Sequence, residues 1–485
     1  MKILLINPPD DLFEVIGGGE VFISNMEPLG ILYIAAVLRE GGHDVAVIDA
    51  YAERLTQAKL ETRILECCPQ MIGFTCFTSN GGIVYNFCKN LKSKHPNITI
   101  VLGNVHASVF ARQYLLNGCC DYVIHGEGEY PMLQLADAIS NNLPITDVPA
   151  LSYVVNGVVE TTSDPYYIKD ISVVPMPARD LVRQDLYNIK QINNFSLHNY
   201  GNNKSRKHMF TSRGCPNRCT FCTVHHSIKQ RFNTVEQSLD EVETLINDYN
   251  AGYIFFTDSL FVGKKKRVLE ICKRIRERKL DFKWGCEAHV KFIDEEMLLA
   301  MEEAGCVDLD FGLESGVDRL LIEIGKKFTS DDALNVIRLV KKTTKIHVTG
   351  LFILGLPGET LQETKQTIQH ATQLPLDMAQ FTILTPFPGS QIFDELSGRG
   401  EIDTGIRPGD KLDTDVWHRY SSYISYTDKK PIWVTPEHTA DGLKGLQKYA
   451  LRRFYFRPYA FWQQLKRIRL SNLPHMIKAA WDTFI

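Results

Sequence analysis

Short apolar strand patterns alternate with amphipathic helical patterns in two long stretches of this chain, and that alternation leaves few folds open. In the first stretch, residues 1–140, five runs rich in β-branched residues are separated by helical patterns. The runs are Ile3–Ile6, Asp44–Ile48, Met71–Thr75, Ile98–Leu102 and Asp121–His125. Such alternation predicts a parallel sheet covered by helices on both faces. We therefore predict a Rossmann-like (flavodoxin-like) α/β domain, whose ligands sit at the carboxyl ends of the strands.

The second stretch, residues 206–395, repeats the pattern with six strand candidates. These are His208–Ser212, Tyr253–Thr257, Phe282–Cys286, Val307–Leu313, His347–Leu354 and Met378–Leu384. Six βα units are too few to close an eight-stranded barrel, so the sequence predicts a partial (β/α)6 barrel. The catalytic groups of such barrels lie at strand carboxyl ends and in the loops that follow them.

Residues 141–205 and 396–485 lack this alternation. The first segment predicts a linker with a β-hairpin, because Asn156-Gly157 between two apolar runs is a strong turn signal. The second predicts a helical C-terminal extension, where nine Lys/Arg residues stand against two acidic ones from Asp441 onward, interleaved with aromatic residues. A basic amphipathic helix can contact a membrane surface or an anionic substrate, and it can equally be a cap packed on the barrel.

The overall composition excludes several classes of protein. A formal net charge of −3 gives no general attraction for nucleic acid. No apolar run reaches about 18 residues, so we expect no membrane span, and the apolar start of the chain is typical of a buried strand rather than a signal peptide. The 12 cysteines in 485 residues are not a disulfide framework. Most fit small buried hydrophobes, and unpaired thiols predict a cytoplasmic location.

Three cysteines stand close together at the start of the predicted barrel, at Cys215, Cys219 and Cys222. Iron–sulfur cubanes are held by cysteine thiolates and normally take four of them, so three in one loop leave one iron open to another ligand. The alternative is a zinc site completed by His225 or His226. Zinc sites more often use two Cys-x2-4-Cys knuckles, and the sequence has no second knuckle. The spacing therefore favours a 4Fe–4S cluster.

This motif resembles the signature of the radical S-adenosylmethionine (SAM) superfamily, Cys-x3-Cys-x2-Cys with an aromatic residue before the third cysteine. The resemblance implies that the reduced cluster cleaves SAM to a 5′-deoxyadenosyl radical. Other strand ends resemble the SAM-binding positions of the superfamily, since carboxylates suit the ammonium or ribose diol of SAM and glycine backbone suits adenine. The SAM-binding residues so implied are Phe221, Asp258, Glu314, Ser315, Gly355 and Pro357.

The strand ends of residues 1–140 resemble the cobalamin-binding domain that precedes many radical SAM enzymes. The matching motifs are Gly-x-x-His-x-Ser from Gly103 and Gly-Glu-Gly-Glu from Gly126, with Asn104 where the family usually has a second glycine. The resemblance implies cobalamin contacts from Pro8, Thr75, Ser79, Gly103, Asn104, His106, Gly126 and Glu127. The Asp-x-His-x-x-Gly motif of cobalamin-dependent mutases is missing, so base-off binding without a histidine ligand is implied. A lid domain without a cofactor is the alternative.

These resemblances imply a cobalamin-dependent radical SAM enzyme that methylates an unactivated carbon of a small-molecule, lipid or tetrapyrrole-type substrate. Radical ring closure without methyl transfer, as in the anaerobic protoporphyrin ester cyclase family, is an alternative. Methylthiolation of tRNA is disfavoured because a second cysteine triad is missing, and a zinc-bound scaffold without enzymatic activity is a further alternative. The expected electron donor is a flavodoxin or ferredoxin. We expect no nucleic-acid partner, and an amphiphilic or anionic substrate or a peripheral membrane contact would involve the basic C-terminal helix.

Overall fold

The computed structural model describes residues 1–10, 25–187, 204–224, 229–421 and 429–460. By their contacts these residues form two compact units. The N-terminal unit contains residues 1–10, 26–186 and 386–421. The barrel unit contains residues 204–385 and 429–460. Each unit is built on its own sheet, which is wholly parallel in the barrel unit and mostly parallel in the N-terminal unit.

The sheet of the N-terminal unit has seven strands in the order β2-β1-β3-β4-β5-β6-β7. The strands are β1 (Lys2–Asn7), β2 (Asp44–Asp49), β3 (Met71–Thr75), β4 (Thr99–Gly103), β5 (Tyr122–Ile124), β6 (Leu151–Val155) and β7 (Val158–Thr161). The first five are parallel, and the β6–β7 hairpin adds to β5 in the antiparallel direction. The order 2-1-3-4-5 is that of flavodoxin-like folds, which confirms the predicted fold class.

Six helices belong to the main part of this unit. They are α1 (Leu29–Glu40), α2 (Gln57–Cys67), α3 (Gly81–Lys94), α4 (Val105–Val109), α5 (Ala111–Leu116) and α6 (Glu129–Asn141). Helix α1 begins after Pro28, whose fixed φ suits a helix start, and it ends at Gly41. Its side chains Leu32 and Leu38 are fully buried. Strand β1 is buried along Ile3–Ile6, as expected for a parallel sheet with both faces covered.

The sheet of the barrel unit has six parallel strands in the order β15-β14-β13-β12-β11-β8, so β8 and β15 are its edges. Its strands are β8 (Ser205–Met209), β11 (Ala251–Phe256), β12 (Lys283–Ala288), β13 (Cys306–Glu314), β14 (His347–Leu354) and β15 (Met378–Ile383). A separate antiparallel pair consists of β9 (Ser212–Arg213) and β10 (Arg231–Phe232). The partial barrel is therefore confirmed.

The first barrel strand differs from its predicted position, His208–Ser212. Pairing with β11 covers Ser205–Met209 and stops there. The reason lies in the backbone amide of Thr211, which donates to the Asp258 carboxylate at 2.6 Å instead of to a neighbouring strand. The chain thus leaves the sheet three residues earlier than the apolar pattern indicates.

Six helices cover the outer face of this sheet. They are α7 (Val235–Asn247), α8 (Lys265–Glu277), α9 (Glu295–Glu303), α10 (Asp318–Glu323), α11 (Ser330–Thr343) and α12 (Leu361–Gln373). Threonines at the starts of α7, α11 and α12 form capping boxes, which satisfy amides that the first helical turn leaves free. On this outer face the rings of Phe256, Phe261 and Trp284 pack together. The opposite face of the sheet is left for function.

Residues 386–421 return to the N-terminal unit. They include α13 (Gln391–Gly398), β16 (Ile406–Arg407) and β17 (Lys411–Leu412). The buried Trp417 ring lies 4.3 Å from the His106 ring and 5.1 Å from the Phe110 ring, measured between centroids. The boundary predicted at residues 395 and 396 splits this segment, because local periodicity carries no signal for a return to an earlier sheet.

Helix α14 (Ala440–Tyr455) covers the edge strand β15. The Tyr455 hydroxyl accepts from the Ala379 amide at 3.3 Å and donates to the carbonyl of the same residue at 2.9 Å, and Gln447 donates to the Phe381 carbonyl. These bonds satisfy edge groups of the sheet, which favours the cap interpretation for this helix. Residues 461–485, the rest of the basic segment, lie outside the described residues. Among the described helices, none is long and apolar enough to cross a bilayer.

Candidate functional site

The three motif cysteines lie in one loop, residues 214–222, which we call the cysteine loop. Cys215, Cys219 and Cys222 are all half-buried and free of disulfides, as are the other nine cysteines of the chain. A turn in which the Cys222 amide donates to the Cys219 carbonyl at 3.0 Å brings two of the thiols together. All three predicted ligands therefore lie in one short loop, although among the described residues no three such side chains are already drawn together as around a single metal ion, and their binding of one cluster stays a prediction.

Burial favours the protonated form of two of these thiols, Cys219 and Cys222. It raises the pKa of Cys219 to about 11 and also raises the pKa of Cys222. Metal binding would remove those protons, because thiolates are the ligating form. Three thiols in one loop fit a cluster with one open iron. The alternative zinc ligands His225 and His226 lie outside the described residues.

The entry to the cysteine loop is fixed by Asp258, which follows strand β11. Its carboxylate accepts from the Thr211 amide and hydroxyl, both at 2.6 Å, and from the Ser212 hydroxyl at 2.7 Å. Arg267 adds bonds to the Thr211 hydroxyl and carbonyl at 3.1 Å each. Burial raises the pKa of Asp258 against the lowering effect of these donors. Asp258 is fully buried, so its predicted SAM contact stays a prediction, and what the structure shows is a support for the loop.

A second segment, residues 324–328, contacts the cysteine loop. This contact was not predicted from the sequence. The Thr220 amide donates to the Ile324 carbonyl at 3.1 Å. Gly325 has a φ of +79°, and a Cβ there would lie 2.6 Å from the Arg218 carbonyl oxygen. Glycine is needed for both reasons. In the sequence this residue is indistinguishable from an ordinary helix C-terminal glycine after α10.

Next to the docked glycine, Lys326 forms a buried ion pair with Glu314 at the end of β13. The Lys326 Nζ lies 2.9 Å from the Glu314 carboxylate and donates to the Gly312 carbonyl at 3.0 Å. Both side chains are only 8% exposed. Burial lowers the pKa of Lys326. The neighbouring Glu314 and Cys219 raise it by more in total, so the pKa of Lys326 is raised overall. A fixed charge pair therefore adjoins the cysteine loop.

The loop after β14 is held by the Glu359 carboxylate, which is not among the predicted site residues. Glu359 is fully buried and accepts from the Gly355 amide at 2.5 Å and the Leu356 amide at 2.8 Å. Burial raises its pKa to about 7. Gly355 has a φ of +79°. The predicted SAM-binding residues Gly355 and Pro357 thus share one rigid turn, and their contact with SAM stays a prediction.

Ser315 also forms its hydrogen bonds within the protein. It is 1% exposed, its hydroxyl lies 3.0 Å from the Thr367 hydroxyl, and it accepts from the Val317 amide at 3.2 Å. It orders the turn that follows Glu314. Phe221, by contrast, is half-buried in the cysteine loop, and its ring centroid lies 6.0 Å from the Lys326 Nζ.

The inner face of the barrel sheet, opposite the helices, is polar and charged. The Tyr253 hydroxyl donates to Asp308 at 2.9 Å, and the Arg206 guanidinium stacks 5.0 Å from the Tyr253 ring. Glu287 and Asp310 are register partners on β12 and β13. Desolvation raises the pKa of Glu287 to about 7 and that of Asp310 to about 6. These residues form a lining suited to a ligand with hydrogen-bonding groups.

The strand ends of the N-terminal unit bring part of the predicted cobalamin set together. Thr75 and Gly103 are register partners at the ends of β3 and β4. Asn104 donates from its side-chain amide to the Thr75 hydroxyl at 3.1 Å, and its φ is +80°. That backbone conformation favours glycine, which agrees with the glycine usual at this position in the resembling family. Apart from the two chain neighbours, no described residue places an atom within 4 Å of a Cβ built on Gly103, so this edge has room for a ligand.

The other predicted contacts are more dispersed. Gly126 has a φ of +86°, and a side chain there would collide with the backbone of Tyr166. Glu127 accepts from the Ile168 amide at 2.7 Å, so its carboxylate holds the connector after the hairpin. Ser79 donates to Asp10 at 2.6 Å. Pro8, buried just after the end of β1, completes the predicted set.

His106 is not at the surface. It is fully buried, its Nδ1 lies 3.2 Å from the Thr78 hydroxyl, and its Nε2 has no hydrogen-bond partner among the described residues. A side chain at Gly81 would collide with the ring. Burial lowers the pKa of His106 to about 3, so the ring is neutral. In this conformation it supports the Thr78 loop, and its direct contact with cobalamin stays a prediction.

The second histidine at these strand ends is engaged too, since the His125 Nε2 lies 2.7 Å from the Ser152 hydroxyl. His125 is thus engaged by Ser152, whereas His106 is kept from solvent by its burial, with its Nε2 unpartnered among the described residues. Base-off cobalamin binding without a protein axial ligand stays a prediction.

Two domain families match the sequence. The B12 binding domain matches residues 18–136, and the Radical SAM superfamily matches residues 209–371. The first range spans the strand ends with Gly103, and the second contains the cysteine loop and strands β11 to β14.

Individual proteins resemble most of the chain. An uncharacterized methyltransferase of Pyrococcus horikoshii is 32% identical over 94% of this chain and 93% of its own length. The anaerobic magnesium-protoporphyrin IX monomethyl ester cyclase of Rubrivivax gelatinosus is 27% identical over 83% of this chain and 71% of its own length. The solved radical SAM methyltransferase TsrM from Kitasatospora setae, with cobalamin and a 4Fe–4S cluster bound, covers 97% of this chain and 89% of its own, with a TM-score of 0.67 and 16% identity. This last likeness concerns the fold.

Proposed function

The chain belongs to the cobalamin-dependent radical SAM methyltransferase family, and we propose that it methylates a carbon of a small polar molecule. The observation that carries this proposal is the cysteine loop, in which three cysteines outside any disulfide stand at the end of a partial barrel beside an inner face lined with polar groups. When bound, a 4Fe–4S cluster and SAM supply the radical, and cobalamin supplies the methyl carrier.

The protein's own contribution is to hold these groups and keep the site ordered. Cys215, Cys219 and Cys222 would bind the cluster, and Asp258 with Arg267 keeps the entry to their loop in one conformation. In the N-terminal unit the room at Gly103 would accept cobalamin. Radical chemistry benefits from such order, because a reactive intermediate must meet only its intended partner.

The inner face favours a substrate with hydrogen-bond donors or a cationic group. Glu287 and Asp310 lie side by side, and desolvation disfavours their charged forms, so a donor group of the substrate would stabilise them. Arg206, on the same face, could pair with an acidic group. This lining suits a polar small molecule or a ring bearing carboxylates better than an unsubstituted hydrocarbon lipid. The basic C-terminal helix suggested an amphiphilic or anionic substrate. The proposal narrows that class to polar molecules and rings that carry carboxylates.

We propose a flavodoxin or ferredoxin as the electron donor and a reducing compartment, the cytoplasm, as the location. The second point is supported by the 12 cysteines, none of which forms a disulfide. A second candidate function, oxidative ring closure without methyl transfer, is favoured by the likeness to the ester cyclase.

The test is anaerobic reconstitution with iron, sulfide and cobalamin, followed by incubation with a reductant, SAM labelled in its methyl group and an extract of the native host. Methyl transfer predicts 5′-deoxyadenosine together with a product that carries the labelled methyl. Ring closure predicts 5′-deoxyadenosine with a product that has lost hydrogen and carries no label. Formation of neither, with about four iron atoms per chain present, would refute both functions. The Cys222→Ala variant, treated identically, is the blank.

A further inference from the structure

Lys326 lies beside the cysteine loop without being a ligand of any kind. Its segment is docked there by Gly325 against Arg218 and by the bond from Thr220 to Ile324. The ammonium is almost completely removed from solvent, and its partners are the Glu314 carboxylate at 2.9 Å and the Gly312 carbonyl at 3.0 Å. Its position is therefore fixed, and it cannot swing into water.

The two charges of this pair lie next to the cysteine loop. The Lys326 Nζ is 6.0 Å from the centroid of the Phe221 ring, and Phe221 immediately precedes Cys222. A Cβ built on Gly325, the residue before Lys326, would lie 3.5 Å from the Cys219 Cα. Charges at this place act on a group bound by the loop, because the side chains are desolvated and screening is weak.

A 4Fe–4S cluster becomes more negative by one unit when it accepts an electron. Local charge, hydrogen bonding and solvent exposure set the reduction potentials of such clusters over a wide range. A fixed positive charge nearby stabilises the reduced state, and a fixed negative charge destabilises it. Since radical SAM chemistry begins with this reduction, the balance of the two charges bears directly on the reaction.

We propose that Lys326 and Glu314 tune the reduction potential of the cluster bound by Cys215, Cys219 and Cys222, with Lys326 raising the potential and Glu314 lowering it. The step concerned is transfer of one electron from a reductant to the oxidised cluster, with no bond made or broken in the protein. The inference rests on the proposed function, because it requires that the cysteines hold a 4Fe–4S cluster. Lys326 is a positioning residue here, since it acts through the cluster's charge.

The experiment is a potentiometric titration of the reconstituted full-length protein without SAM, followed by electron paramagnetic resonance of the reduced cluster. We expect Lys326→Gln to make reduction at least tenfold less favourable, which is about 59 mV for one electron. Glu314→Gln should shift the potential in the opposite direction. Lys326→Arg should stay near the wild type. Lys327→Gln is the matched control, because it removes the same charge from the adjacent, exposed position.

Shifts of the same sign in Lys326→Gln and Glu314→Gln, or a Lys326→Gln shift no larger than that of Lys327→Gln, would overturn the proposal. If Lys326→Gln loads too little iron to titrate, the reduction potential of Glu314→Gln alone is the test. An upward shift of that potential supports tuning, and an unchanged potential contradicts it. An unchanged potential with weaker SAM binding in Lys326→Gln would replace tuning by a role in SAM recognition. A wild-type protein that binds zinc, or that assembles no cluster, refutes the proposed function itself, which is a separate outcome.

Discussion

The candidate sites of the two units are held by different kinds of interaction. In the barrel unit, buried charged groups hold the backbone: Asp258 fixes the entry to the cysteine loop, Glu359 fixes the turn after β14, and Glu314 pairs with Lys326. In the N-terminal unit, backbone shape and close packing dominate, with glycine-like conformations and a neutral histidine among aromatic rings. The first site should therefore be sensitive to loss of charge and the second to added volume.

The largest effect is expected at the cluster ligands of the barrel unit. Cys222→Ala leaves two thiolates for a group that normally takes four, so we expect nearly complete loss of bound iron and of SAM cleavage. Iron and sulfide per chain and 5′-deoxyadenosine formation measure this. The control is Cys272→Ala, a buried cysteine of helix α8, which should keep the cluster. Full iron content in Cys222→Ala would contradict the assignment of the cysteine loop.

The next effect concerns the buried charge at the loop entry. Asp258→Ala leaves the Thr211 amide and two hydroxyls without their acceptor, and we expect it to lower the free energy of unfolding by about 3 kcal/mol. Urea denaturation measures the change, and iron loading should fall with it. Asp294→Ala is the control, because loss of this half-buried cap of α9, which also pairs with Lys265, should cost about 1 kcal/mol. Equal losses in the two variants would remove the special role of the buried carboxylate.

In the N-terminal unit the sensitive change is one of volume. Gly126→Ala adds a methyl group that collides with the Tyr166 backbone at a φ of +86°, so we expect a loss of about 2–3 kcal/mol. Cobalamin binding, followed by visible absorption, should weaken, while iron loading stays normal. Gly118→Ala is the matched control, since its φ of +68° carries similar strain but no atom lies within 4 Å. Equal weakening of cobalamin binding in both variants would indicate that backbone strain, and not the collision with Tyr166, causes the effect.

The smallest effect is a pH dependence carried by His106. Burial lowers the pKa of His106 from its ordinary 6.5 to about 3 in the folded protein, so the folded state binds fewer protons between those values. Stability is therefore fully present above pH 6.5 and is lost as pH falls from 6.5 toward 3, by up to about 1.4 kcal/mol per pH unit. Comparing the unfolding of the wild type and His106→Phe between pH 7 and pH 5 isolates this contribution. The same slope in both proteins would contradict it.

Most of the fold could be predicted from the sequence, because each element depends on local patterns. Strands β3 and β14 were both predicted with their observed bounds. The β8 prediction was wrong at its end, since the side chain that draws Thr211 out of the sheet comes from Asp258, 47 residues later. Patterns of period 2 or 3.6 contain no information about such a distant partner.

The sequence by itself determined two parallel sheets and the cysteine loop, because the spacing of Cys215, Cys219 and Cys222 keeps all three thiols within nine residues of chain. Only the tertiary structure decided that Lys326 adjoins that loop, that residues 386–421 pack with the N-terminal unit, and that α14 covers the edge of β15. The physical reason is the same in each case. Burial and desolvation depend on which distant residues surround a group, and these define its charge state and its function.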